Sequence, residues 1–295
     1  MPLFISNRQG AEIGRQARLR TVCPQGMGVR FSPLALGLIL FLILILFPSP
    51  ALAQDFTFDR SYSDYIYTLD QYRIAHQEYD LKKTEYLKFN TLTSQTAAQA
   101  ATLDMLLTRD NAIRTHLTAL RLKLAATSGV NPIGREALYS RIDQEVNWLF
   151  QHQVRLKNTA SIAEAVRISK ELEDRYTTVN LLMYQALSTV LSAKENSLTS
   201  QSQDYYQQLS AKVAHMKQAG ETTQLLERWL LQANQRLDLS AERQSAANLA
   251  ASKFTAQSRN LPADFLSLQF TLKQSHQYLK EVASSLQEII REITK

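Results

Sequence analysis

In the C-terminal part of the chain, positions 265, 268, 272, 275, 279, 282, 286, 289 and 293 alternate spacings of three and four, and all but Ser275 are apolar. That spacing holds one face of an α-helix apolar over its whole length and predicts a packing seam. Tyr278, Ala283 and Ile290 flank the seam. They widen the apolar stripe and predict contact with at least two neighbouring helices. A second seam runs through Leu103, Leu106, Asp110, Ile113, Leu117, Leu120 and Leu124, with Asp110 its single polar member. Arg114, one turn on, would satisfy that carboxylate in a rim or register-setting ion pair.

Tyr65, Tyr72, Tyr79 and Tyr86 recur every seven residues, with Tyr62, Leu69, His76 and Lys83 in the row beside them. A stripe of phenols at helical spacing reads first as a buried seam whose hydroxyls reach a polar rim, and this places Tyr72 and Tyr79 in the core with Lys83 in solvent. The competing reading is an interaction stripe, an aromatic face for a partner helix or a glycan.

Glycine and proline punctuate these seams sparsely. Past residue 53 only Gly129, Gly134, Gly220, Pro132 and Pro262 remain. They divide the chain into three legs, about 61–127, 132–218 and 221–295. Gly129, Asn131 and Pro132 form the first joint, and Gly220 forms the second. Weaker breaks fall at 90–94, 157–160, 196–203 and 260–262, and Ser161 with Glu164 has the form of a capping box. The fold class is all-α: an elongated antiparallel bundle of coiled-coil-like up-down-up legs, each reaching about 100 Å if straight. A shorter bundle of five or six helices is the alternative.

Residues 1–53 have a different character. Arg30 precedes the apolar run Leu34–Phe47, Pro48-Ser49-Pro50 ends it, and Ala51-Leu52-Ala53 offers small residues for cleavage before Gln54. This is the layout of a secretory signal peptide, with Met27 an alternative start. Uncleaved, the same 23 uncharged residues, Phe31–Ala53, would be long enough to anchor the chain in a membrane. The domain expected to remain, 54–295, is a single helical unit outside the cytoplasm, in the periplasm or at the cell surface.

Removing the leader changes the composition. The whole chain carries a net charge of +6, but the leader holds five of the 33 basic residues and one of the 27 acidic ones. The 28 basic and 26 acidic residues left give no electrostatic basis for binding nucleic acid. The single cysteine, Cys23, also lies in the leader, so the exported part would hold together by packing alone.

Candidate chemistry is thin. Three scattered glycines cannot build phosphate loops or nucleophile elbows. No histidine follows a glutamate at the spacing of di-iron bundles, and His76 with Asp80 one turn on reads as a surface ion pair. Trp148 and Trp229 read as core anchors. No catalytic, cofactor or metal residues are expected. These observations favour an exported, non-enzymatic structural or protein-interaction protein whose partner is another protein or an envelope component. Membrane contact is expected only through an uncleaved leader. The alternative is a ligand-binding or sensor bundle with a pocket between helices near His76 and Tyr79.

Overall fold

Five side chains open helices by accepting backbone N–H groups that the first turn leaves unpaired: Thr57, Thr91, Asn131, Ser161 and Asn260. Pro132 and Pro262 sit in first turns, where a missing N–H costs nothing. Asn90, Gly129 and Gly220 adopt positive φ (47°, 79° and 86°) between helices. The computed structural model describes residues 57–255, 258 and 260–294, all within the unit Phe56–Lys295. The predicted signal peptide and its cleavage residues lie outside the described residues.

Among the described residues there are six helices and no strand: α1 Phe58–Phe89, α2 Leu92–Ala125, α3 Pro132–Lys157, α4 Ile162–Gln218, α5 Gln224–Ser252 and α6 Leu261–Ile293. The chain is an all-α bundle. Two of the three expected legs are broken, at Asn90 and at 158–161, and the third is broken before Leu261. The polar run 196–203 is no break, because α4 passes through it unbroken. There Thr199 returns its hydroxyl to the Glu195 carbonyl, so the polar side chain competes with nothing in the helix.

Side-chain pairings fix the directions. Tyr65–His116 and Thr68–Thr115 set α1 antiparallel to α2, Asp110–His152 and Arg121–Asp143 set α2 antiparallel to α3, and Glu145–Arg175 and His152–Ile168 set α3 antiparallel to α4. Further along, α4 pairs with α5 through Thr199–Gln244 and Lys217–Glu227, and α5 with α6 through Ser240–Ser275. Tyr184–Phe265 and Glu195–His276 make α6 parallel to α4.

Two three-helix cores result, and α4 belongs to both. Ile113, Leu117, Leu124, Ile142, Leu149, Val179 and Leu182 fill the first, between α2, α3 and α4. Val213, Leu226, Leu237, Val282 and Ile289 fill the second, between α4, α5 and α6. Eight of the nine predicted seam positions of α6 are buried, Ser275 included. The helix meets both α4 and α5, as its width predicts. Ala283 and Ile290 are exposed, so the stripe itself is narrower than the sequence suggests. Trp148 and Trp229 are half-buried at the edges of the two cores.

Candidate functional site

Among the described residues helix α1 packs only on α2. Its buried residues are Ser61, Thr68 and Ala75, one every seven positions. Thr68 Oγ1 lies 2.6 Å from Thr115 Oγ1 of α2, between buried Ala112 and Ala119. Small side chains on both sides let the two helices lie close together. The core position foreseen for Tyr72 and Tyr79 is therefore taken by these small residues. Tyr65, Tyr72, Tyr79 and Tyr86 flank them and are half-buried. The row Tyr62, Leu69, His76 and Lys83 lies further out, and only Leu69 in it is partly covered.

The phenols reach sideways. Tyr65 stacks on His116 with ring centroids 4.5 Å apart, and burial pushes that imidazole down to about 4. Burial also raises the Tyr65 and Tyr72 phenols. Tyr176 of α4 is raised as well, first by burial and then by the neighbouring Tyr184, Tyr65 and Tyr72 phenols. The first half of the stripe thus extends past α2 toward α4. The second half is wetter: His76 pairs with Asp80 at 3.2 Å, and Lys83 lies over the Tyr79 ring.

On the opposite face the usual pattern is inverted. Tyr67, Ile74 and Leu81, seven residues apart, are 65%, 61% and 50% exposed. Ile66 and Leu87 are exposed too, so every large aliphatic of α1 except Leu69 faces solvent while serine, threonine and alanine are buried. Sequence pattern alone does not reveal this, because one heptad row looks like another until the partner helix is placed. The helix holds six acidic and five basic residues and so has no bias toward an anionic surface.

The one polar residue of the α2 seam becomes the centre of a buried layer. Asp110 and His152 are both fully buried, with Asp110 Oδ2 2.5 Å from His152 Nδ1. His152 Nε2 lies 2.8 Å from the Ile168 carbonyl. A carbonyl only accepts, so Nε2 carries a hydrogen and the Nδ1–Oδ2 pair holds a further proton between them. Arg109 donates twice to Asp110 Oδ1 and once to Ser169. The expected partner Arg114 binds Asn111 instead, because Asp110 points into the core and not along its own helix surface. Trp148 stacks on His152 at 4.8 Å, and Arg175 covers Trp148 while forking onto Glu145 at 2.7 and 3.0 Å. Both ring nitrogens of His152 are engaged and no solvent reaches it, so the layer offers no free base to a substrate.

The second core contains a different layer. Ser240 and Ser275 share a 2.8 Å hydrogen bond, Ser275 also donates to the Ser240 carbonyl, and Gln244 reaches Ser240, Ser275 and Thr199. Glu195 is buried one turn from Thr199. Its Oε2 lies 3.4 Å from His276 Nδ1, its Oε1 has no partner, and burial raises its carboxyl.

The chain matches no family model, no curated protein and no solved structure. Among the described residues no group of three or more histidine, cysteine or acidic side chains is placed to hold a metal ion, and no helix is long and apolar enough to cross a membrane. A cleft does exist between helices, but neither His76 nor Tyr79 lines it. It lies where the α2–α3 joint, the middle of α4 and the end of α5 meet.

Proposed function

We propose that this is an exported, non-enzymatic helical protein that works by binding another protein, or a protein component of the cell envelope, through the outer face of α1. One observation carries the reading: α1 buries its small residues and exposes Ile66, Tyr67, Ile74 and Leu81. An apolar row left in solvent along a helix that, among the described residues, touches the bundle on one side only has the form of a helix-docking surface. The leader, with its Ala51-x-Ala53 site before Gln54, supports export. The near-balance of charge on α1 favours a protein partner over an anionic lipid surface.

The test is a photo-crosslinking amino acid placed at Ile74 in the expressed protein, with Leu231 of α5, also exposed, as the control position. A discrete adduct is expected from position 74 and not from 231. Adding Leu81→Ser should abolish it and shift melting by less than about 0.5 kcal/mol, the usual range for an exposed substitution. Equal labelling from both positions, or no adduct from 74, overturns the reading.

A further inference from the structure

The cleft between the two cores has a volume of about 540 Å³, within the range of roughly 300–1,000 Å³ that holds small molecules. Its rim is built tightly. Gly129 takes φ 79° there, and a Cβ at that position would come within 3.2 Å of the Ala193 carbonyl, so the α2–α3 joint seats directly on α4. Its lining is more apolar than polar: Val130, Leu138 and Ala193 form the floor, and the wall hydroxyls of Ser188, Thr189 and Ser252 are bonded to carbonyls of their own helices.

Among the described residues one charged side chain lines it, Arg141. Arg109, Arg121, Arg155, Arg175 and Arg236 all meet carboxylates. Arg141 instead donates Nη1 to Gln185 Oε1 at 2.7 Å, and Gln185 Nε2 is held in turn by the Phe254 carbonyl at 3.2 Å. A neutral amide thus fixes the guanidinium without neutralising it. Among the described residues no acid pairs with it. Also lining it are Asn196 and Asn248, both exposed and with no side-chain partner among the described residues, while Ser192 Oγ is sealed beneath the surface with no partner there. A positioned cation with no acid partner beside two exposed carboxamides is a recognition set for an anion that also carries hydroxyl groups.

We infer that this cleft binds a small hydroxylated carboxylate of sugar-acid size, with Arg141 holding the carboxylate and the exposed Asn196 and Asn248 serving the hydroxyls. The site is separate from the α1 face and does not depend on it.

Saturation-transfer NMR on the full chain, with glucuronate as the probe and glucose as its uncharged counterpart, tests the inference. Glucuronate should show saturable transfer and glucose little. Arg141→Gln should weaken glucuronate binding by about tenfold or more, the loss expected for one charge-assisted contact. Asn248 is exposed, so Asn248→Ala should fold normally and weaken binding several-fold, which keeps the test valid if Arg141→Gln proves unstable. No transfer from glucuronate, equal transfer from glucose, or binding unchanged in both variants overturns the assignment.

Discussion

Between α2, α3 and the first half of α4 the molecule buries full charges. Between the second half of α4, α5 and α6 it buries hydroxyls and a carboxamide. In the first core each charged member of the layer meets a partner: Arg109 and His152 on Asp110, Arg175 on Glu145. In the second the neutral members are well bonded, while the one acid, Glu195, has a long contact with half-exposed His276, support from Ser275, and an unpaired Oε1. A charged layer tolerates only the register in which every partner is present, whereas serines and a glutamine accept several arrangements at smaller cost. The difference teaches that the first core is specified by electrostatics and the second mainly by its leucine and isoleucine seam.

The largest effect that could break this comparison is at Asp110. Asp110→Ala strands His152 and Arg109 in the interior and should cost about 3–5 kcal/mol, read as a lowered denaturation midpoint. A loss under about 1 kcal/mol would mean the charged layer does not specify the core.

Acidification should separate the two halves. His116 stays neutral in the folded protein until about pH 4, while the unfolded chain takes up that proton near 6.5. Stability from this group therefore falls as pH drops through that window, on the order of 2 kcal/mol between pH 7 and 4. Glu195 has the opposite sign. Its raised folded value gives a contribution present below the ordinary carboxylate value and lost as pH rises through the folded one. Hydrogen exchange corrected for intrinsic rates should show α1 and α2 losing protection at pH 5 before α5 and α6, and the reverse order would contradict the assignment.

The smallest effect sharpens the same point. Glu195→Gln removes a poorly compensated charge and should raise stability at pH 7 by up to about 1 kcal/mol, with little change at pH 4. Destabilisation at neutral pH would show that the long contact to His276 matters more than the burial.

How much of this was legible in the sequence depended on whether the signal was local. Gly129, Asn131, Pro132, Ser161 and Gly220 stop and start helices through their own backbone preferences, and each does so where the sequence places it. The α6 seam was readable because one helix face repeats within one segment. Asp110 was visible as an exception, but its partner His152 lies 42 residues away and has no acid of its own nearby in sequence. The tyrosine stripe was visible too, yet its depth was not, since the half-burial of Tyr72 and Tyr79 goes with Thr68 and Ala75 taking the buried row, Thr68 against Thr115 of another helix. The cleft around Arg141 gathers residues from three helices and a joint, and no spacing rule connects them.

Helix α4 has 57 residues and so extends about 85 Å without interruption. Because the same rod forms a wall of both cores, it is also a lever. Tilting it by one degree about one end moves the other by about 1.5 Å over that length. A push that leaves every side chain in the first core within thermal motion would arrive at Val213 as a displacement as large as a rotamer change.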